Sequence, residues 1–416
     1  MAETSFDVGQ YRIKEVRLYN FLRQKSIDIT GFLISIDISE SINKPVISGR
    51  IFIADTYGLI DKFPIRGEEY ITIEYEDFFE NPCTITGQVF QISGYNPMPQ
   101  GSGVGYYMDF VSPQQFLSDR EEIKKSYTGT CTDIAKLIYD QYLNEVNQLP
   151  FDVEDSAGVE TFVIPALRPL EAIDFLARRA FTSDRLMTNY RFFATRYRYV
   201  LATYEQLLEQ GKRSSTNFFY KPDFIADISL RGDSMFNIHE ITVPKTFHSI
   251  ERMRGGVLSK NIVRVDLTKK EYLVTRYDYY DRVGQAEKFD STSQVIHSPE
   301  FLEQYASSPT KSHLMFIDST RDQKYKEIVE PKGSVDYVLD NLVIDFSIYG
   351  HNSLSVGDVV TLDIPKFENT VERTDHPSLS GNWLIHTINH QLTEDSTYYM
   401  RIRASKDRYI KGLEEV

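Results

Sequence analysis

The chain is poor in cysteine. Cys83 and Cys131 are its two thiols in 416 residues, too few and too scattered for a disulfide framework. The expectation is two reduced, packed cysteines in a protein assembled in the cytosol. Long apolar runs are also missing. No stretch approaches the 18 or so residues that a bilayer-spanning helix requires. The start, Met1-Ala2-Glu3-Thr4-Ser5-Phe6-Asp7, has neither a basic opening nor an apolar stretch, so no signal peptide is expected. Basic charge is short: 46 Lys and Arg stand against 60 Asp and Glu, a net charge of −14. A broad nucleic-acid-binding surface needs a basic footprint, and this balance argues against one. It remains compatible with nucleic acid passing by, because an acidic wall keeps DNA from sticking. Catalytic motifs are absent too: there is no nucleophile elbow, phosphate loop or His-Glu-x-x-His pair. Gly101-Ser102-Gly103-Val104-Gly105 is glycine-rich, but no helix follows it closely. It reads as a hairpin loop, not a phosphate cradle.

What the chain does have is aromatic β-forming sequence, with 27 Tyr and 26 Phe beside a single Trp. Tyr and Phe suit half-buried pleated surfaces. Residues 11–117 read as successive strands. Leu33 to Ser39 alternates apolar and polar residues. Ile71, Ile73 and Tyr75 share one face, with Thr72 and Glu74 on the other, the period-two signal of a strand. From about residue 119 the period changes. A helix over 132–143 would bury Ile134, Leu137, Ile138 and Tyr142. A second, over 168–180, would start with Pro169 in its first turn and bury Leu170, Ile173, Leu176, Ala177 and Ala180. Strands are predicted at Tyr190–Ala194 and Tyr197–Ala202, then a short helix over Tyr204–Gln210 closed by Gly211. Strands at 224–230, 238–243 and 261–280 and helices at 299–305 and 318–329 follow. From Asp340 the strand period returns. The fold class is therefore α+β and β-rich. Four domains are expected: an N-terminal β-barrel module at 1–118, an α/β domain at 119–211, a mixed α/β domain at 212–332 and a C-terminal β-barrel module at 333–416.

The two β-rich ends look like one module written twice. Tyr57-Gly58 followed by Gly67-Glu68 is answered by Tyr349-Gly350 followed by Gly357-Asp358. Thr86-Gly87 is answered by Ser380-Gly381, and Tyr106-Tyr107-Met108 by Tyr398-Tyr399-Met400. Gly67 precedes Tyr106 by 39 positions, and Gly357 precedes Tyr398 by 41. A duplicated β module decides architecture before any motif does. It points to a protein that builds something symmetric.

Two groups of side chains could carry chemistry. His386 and His390 alternate on a predicted strand and could begin a metal site. No Cys or third His is near, so the expectation is that both face solvent or a neighbouring subunit. Arg178, Arg179, Arg185, Arg191, Arg196 and Arg198 are interleaved with Tyr190, Phe192, Phe193, Tyr197 and Tyr199. Such a mixture can mark a nucleic-acid platform. It fits better the polar face of a helix and hairpin on an aromatic core, where Arg and Tyr also serve as interface anchors. Glu68-Glu69, Glu121-Glu122 and Glu414-Glu415 read as solvated pairs, and no glycosidase-type acid pair stands out. No catalytic, cofactor-binding or metal-binding residue is expected, and no cofactor.

Residues 349–366, YGHNSLSVGDVVTLDIPK, and 379–405, LSGNWLIHTINHQLTEDSTYYMRIRAS, resemble the C-terminal tube module of baseplate hub proteins of contractile-tailed phages. Residues 36–77 look like that family's opening module. Residues 164–181, IPALRPLEAIDFLARRAF, resemble the helix of its intervening α/β domain. The likeness is ordered along the chain and weakest over roughly 212–330. It is nearest to the T-even-type hub, whose fold type VI secretion spike proteins share. The resemblance implies a homotrimer in which three pairs of modules form a pseudo-sixfold ring. That ring would join a sixfold tail tube, or its initiator protein, to a threefold central spike. It would line a channel for the tape measure protein and DNA in transit, with baseplate wedge proteins around it. It implies the virion tail baseplate as location, assembly in the host cytoplasm, no stable membrane association and no enzymatic activity. The short run after the last predicted strand carries no needle-like or lysozyme-like domain, so the spike would be a separate chain. The alternatives are a tail-associated cell-wall hydrolase and a receptor- or carbohydrate-binding β protein.

Overall fold

The computed structural model describes residues 7–406 except 64, 99–102, 145–148, 184–188, 214, 222–230, 246–258, 267–269, 279–311, 318–335, 337–341, 367–374 and 377. The first segment forms β1 (Arg12–Tyr19), β2 (Ser26–Asp28), β3 (Leu33–Ser41), β4 (Ser48–Asp55), the one-turn helix α1 (Leu59–Lys62), β5 (Tyr70–Glu76), β6 (Pro82–Pro97) and β7 (Val104–Val111). An α/β segment follows: α2 (Pro113–Arg120), β8 (Ser126–Gly129), α3 (Cys131–Tyr142), β9 (Phe151–Val153), β10 (Glu160–Val163), α4 (Pro169–Ala177), β11 (Tyr190–Ala194), β12 (Tyr199–Thr203) and α5 (Tyr204–Arg213). Then come β13 (Thr216–Phe219), α6 (Arg231–Ser234), β14 (Glu240–Lys245), β15 (Ser259–Asp266), β16 (Glu271–Asp278) and β17 (Ser312–Ile317). The chain closes with β18 (Leu342–Tyr349), β19 (Val359–Asp363), β20 (Gly381–Thr393) and β21 (Tyr398–Lys406).

Alternation places the strands as predicted. On β5, Ile71, Ile73 and Tyr75 are fully buried while Thr72 and Glu74 reach outward. On α4, Pro169 occupies the first turn and the predicted stripe is buried. The Glu171 carboxylate accepts from the Arg168 backbone N–H at 3.2 Å, satisfying one of the donors a helix start leaves open. Three local expectations fail. Leu137 on α3 is 49% exposed, and Ala135 and Tyr139 fill the core side instead. Helix α2 lies in a stretch expected to end as strand. Ser112-Pro113 opens it, with Pro in the first turn, a start signal that was legible. Gly211 does not close α5 but lies inside it. A Cβ there would stand 2.2 Å from Val359 Cγ2, so glycine lets the helix pack directly on β19. The strand predicted at 224–230 and the helices at 299–305 and 318–329 fall outside the described residues.

A 13-stranded sheet dominates, in the order β14-β18-β21-β20-β3-β4-β7-β6-β5-β1-β2, with β13 and β19 branching from β20. Among the described residues no closed barrel is present, and the two strand sets join in one sheet. Within it the order β3-β4-β7-β6-β5 is repeated as β14-β18-β21-β20-β19, every step antiparallel. Matching irregularities support the equivalence. The ladder of β6 with β7 shifts between Val89 and Gln91, and that of β20 with β21 shifts between Ile385 and Thr387. One extra residue, Phe90 or His386, is left over at each place. The same cross-strand ion pair recurs with its polarity reversed. Arg50 meets Asp109 at 2.6 Å, and Arg403 meets Asp345 at 2.7 Å.

The copies differ at their outer edge, where β1 runs antiparallel to β5 but β13 runs parallel to β19. They are joined by the C-terminal half of β20, which pairs with β3 from Thr387–Ser41 to Thr393–Ser35. Gly350 shows how tightly the second copy is packed, because a Cβ there would lie 1.8 Å from the ring of the fully buried Tyr398. Gly350→Ala should lower stability by about 1–3 kcal/mol through overpacking, read as a shifted urea midpoint. An unchanged midpoint would mean that the ring has room to move.

Candidate functional site

A buried polar knot sits where the two copies and the α/β segment meet. The turn between β11 and β12, Thr195 to Arg198, drives the Arg196 side chain into the interior, where it is fully buried. Its Nε donates to Glu40 Oε1 at 2.6 Å, and its Nη2 donates to the Leu354 carbonyl at 2.7 Å. Nη1 donates to the Tyr75 hydroxyl at 2.9 Å and to Asn352 Oδ1 at 3.0 Å. Glu40 belongs to β3, Tyr75 to β5, and Asn352 and Leu354 to the loop after β18. One guanidinium thus ties three parts of the chain through a planar fork of donors.

His390 completes the knot from β20. Its Nε2 lies 3.1 Å from Glu40 Oε1, and its Nδ1 lies 2.7 Å from the Tyr398 hydroxyl. A neutral ring with its proton on Nε2 matches both partners, donating to the carboxylate and accepting from the hydroxyl. Burial, then the Arg196 charge, push the His390 pKa down to about 4, against the pull of Glu40. Burial alone would raise the Glu40 carboxyl, but Arg196 and His390 override it and hold it below its ordinary value. The Asp77–Asn81 turn extends the network: Asp77 Oδ2 accepts from the Asn352 backbone N–H at 2.8 Å. At the edge of the knot lies Asp358, whose pKa burial raises to about 6, against the Ser355 backbone N–H and Arg198.

The arginine cluster is taken apart by the structure. Arg178 pairs with Asp174 at 2.6 Å, Arg198 with Asp152 at 2.8 Å and Arg191 with Asp336 at 2.6 Å. Arg179 lies over the Phe175 ring. Arg196 alone is fully buried, and Arg185 lies outside the described residues. The placement matches the structural reading, with no shared basic platform among the described members. The two histidines are corrected. His390 is 1% exposed, so it faces the interior instead of solvent or a neighbour. His386, at the bulge, stands 2.7 Å from Ser405 Oγ and stacks on Tyr204. Among the described residues no three His, Cys, Asp or Glu side chains gather as a metal site would require. Burial pushes the Cys131 thiol up to about 12, so it stays protonated at ordinary pH.

The opposite, outward face of the sheet is polar and mixed in sign. Asp37, Arg50 and Asp109 lie on the adjacent strands β3, β4 and β7, and Asp345 and Arg403 on the adjacent strands β18 and β21. Burial raises the Asp37 carboxyl, partly offset by Arg50 and Arg401. No helix among the described residues is long and apolar enough to cross a membrane.

The described residues thus give a sheet with a duplicated strand order and an inserted α/β segment. In fold the chain is similar to phage tail proteins. It matches the tail protein from Neisseria meningitidis MC58 with a TM-score of 0.55 at 12% identity, over 96% of this chain and 97% of that one. The 43 kDa tail protein of prophage MuSo2 from Shewanella oneidensis gives 0.52 at 11% identity, over 95% and 98%. In sequence it is similar to the "Probable baseplate hub protein gp334" of Vibrio phage KVP40, 24% identical with 89% of each chain covered. No protein-family model matches the chain.

Proposed function

We propose that the chain is the central hub of a contractile-tail baseplate in the virion, assembled in the host cytoplasm and without catalytic activity. Three copies form a ring in which each contributes its two equivalent strand sets. Six similar surfaces then meet a sixfold tube or tube-initiator protein on one side, while the trimer meets a threefold spike on the other. Wedge proteins surround the ring, and the tape measure protein and DNA pass through it. The repeat β3-β4-β7-β6-β5 and β14-β18-β21-β20-β19 carries this reading, since a threefold object needs a duplicated module to present six docking surfaces. The four-part division at about 118, 211 and 332 belongs to the same proposal, with β13 and β14 crossing from the third part into the sheet. The outward sheet face supports its role as channel lining. There Asp109 pairs with Arg50 and Asp345 with Arg403, which offsets the basic charge that would hold passing nucleic acid.

Mass photometry of the chain assembled with tube and spike partners should show three copies. A stable monomer in the assembled particle would sink the proposal. Clearing of peptidoglycan in a zymogram by the purified chain would favour the cell-wall hydrolase instead.

A further inference from the structure

The two strand sets are covered unequally. On the second, α5 lies against the outer surface of β19 and β20. The Tyr204 ring stacks on His386, the extra residue at the bulge of β20. Gly211 packs on Val359, and Leu207 lies close to Gly357. Tyr204, Leu207 and Leu208 are all buried.

On the first set the corresponding surface stays open. The ladders make Tyr70 the equivalent of Val359, and Phe90 the equivalent of His386. Phe90 is 49% exposed, and among the described residues no aromatic ring lies on it. A Cβ on Gly67 would meet only the Phe90 backbone, at 3.5 Å, whereas one on Gly357 would lie 2.9 Å from the Phe193 ring.

Beside this open surface stands the turn between β1 and β2. Arg23 lies over the Tyr70 ring, 4.1 Å from its centre, in the place that Gly211 holds on Val359. The turn is fixed from within. Asn20 Oδ1 accepts from the Gln24 and Lys25 N–H groups at 2.8 and 3.0 Å, and the Asn20 carbonyl accepts from the Arg23 N–H at 2.8 Å. Its tip nevertheless shows Phe21 and Leu22, 41% and 64% exposed. Arg120, at the end of α2, reaches over the Phe21 ring. Apolar side chains held out by a rigid turn lose little further freedom when a partner covers them, which favours binding there.

Charge sets the kind of partner. Arg23, Lys25, Arg66 and Arg120 are exposed around Phe21, Leu22 and Phe90, with Glu68 and Glu121 as the exposed acids beside them. Glu69 is buried and accepts from the Arg66, Gly67 and Glu68 N–H groups of its own turn. In a chain of net charge −14 this is a basic spot. Apolar groups rimmed by cations fit the apolar face and acidic flank of an amphipathic helix, and α5 shows that a helix can sit at this place on the strand set. We propose that the open surface binds an acidic amphipathic helix of another protein of the particle. Its apolar side chains cover Phe90 and Leu22, and its carboxylates face Arg23, Arg66 and Arg120. The proposal rests on the baseplate reading for the setting in which the partner is met, and not on the three-copy ring.

The test replaces Phe90 by photoreactive benzoylphenylalanine in the full chain assembled in its particle, and sequences the cross-linked peptides by mass spectrometry. The expected product joins position 90 to a segment of a different protein. That segment has apolar residues at the i, i+3, i+4 spacing of a helix face and more Asp and Glu than Lys and Arg. Adding Arg66→Glu and Arg120→Glu should lower the yield by about tenfold, because like charges then face each other across the contact. Both arginines are exposed, so the urea midpoint of the isolated chain should stay at the wild-type value, and a lost product is then a lost contact. Cross-links to a second copy of this chain, to a basic or extended segment, or to nothing overturn the proposal. So does a yield that ignores the charge reversals. Copy number in the same particles reads the three-copy ring separately: a count other than three overturns the ring and leaves the helix site standing.

Discussion

Replacing Arg196 by Met should cost about 3–5 kcal/mol of stability, the range for removing one partner of a buried ion pair. Arg196 and Glu40 have no solvent-accessible side-chain surface, so screening does not soften the loss. Without the guanidinium, Glu40 keeps the neutral His390 ring as a hydrogen-bond donor and no charge partner among the described residues, where its Oε2 already has no hydrogen-bond partner. The Leu354 carbonyl loses its 2.7 Å donor at the same time, and Asn352 Oδ1 is left with the more distant Tyr398 hydroxyl at 3.3 Å. The single Trp383 is fully buried in the second strand set, so its fluorescence reports the transition in urea. Adding Glu40→Gln to Arg196→Met should restore much of the loss, because the expensive species is the unpaired charge and not the missing bond. If Arg196→Met unfolds at the wild-type midpoint, the knot does not clamp the two copies to the α/β segment. If the double variant is no better than the single, the stranded carboxylate is not the cause.

Much of the local structure was legible in the sequence because it depends on near neighbours. Alternation placed β3 and β5, and the Pro169 start and apolar stripe placed α4. The duplication was legible too, but matching the two ends by residue type puts it in the wrong register. Residue type pairs Gly87 with Gly381, yet the two glycines have unrelated causes. Gly87 leaves space for the Phe110 ring, which a Cβ would approach to 2.4 Å, whereas Gly381 has φ +109°. Through the ladders Gly87 corresponds to Trp383, since both face the second residue of the equivalent strand, Ile71 and Val360. Tyr106 likewise corresponds to Met400, not Tyr398, because Ile53 and Ile348 face them. Only Gly67 and Gly357 match for one reason, with φ +93° and +87° in the turn before the strand. The bulges at Phe90 and His386 leave no sequence mark, and they set the true alignment.

The knot was hidden for a different reason. Arg196 and Arg198 sit two positions apart among aromatics and look alike as sequence. What separates them is Glu40, Tyr75, Asn352 and His390, none of which is near residue 196 in the chain. Only the tertiary fold decides which arginine goes inward.

The same network should make the protein's acid response the sum of two opposing titrations. His390 has its pKa lowered from 6.5 to about 4. Its contribution is fully present above pH 6.5 and is lost as pH falls towards 4, by about 3 kcal/mol at 1.36 kcal/mol per unit. Asp358 has its pKa raised from 3.8 to about 6. Its contribution runs the other way: it is fully present below pH 3.8 and lost as pH rises through 6, again by about 3 kcal/mol. Arg196, Arg198 and Glu40 are the charges around Asp358, and Arg196 and Glu40 are those around His390. His239, His351 and His376 are also lowered, by burial first, and push in the same direction as His390. They are common to wild type and variants, so differences isolate the two groups. Asp358→Asn can still accept from the Ser355 N–H without carrying the charge. It should be more stable than wild type at pH 7.5, with an advantage that shrinks on acidification and vanishes near pH 3.8. His390→Gln can still donate to Glu40 and accept from Tyr398, and it should lose less stability than wild type between pH 6.5 and 4. Urea midpoints measured across pH 4–7.5 decide the matter. Variant profiles parallel to wild type would mean that neither group is held in the protonation state its burial imposes.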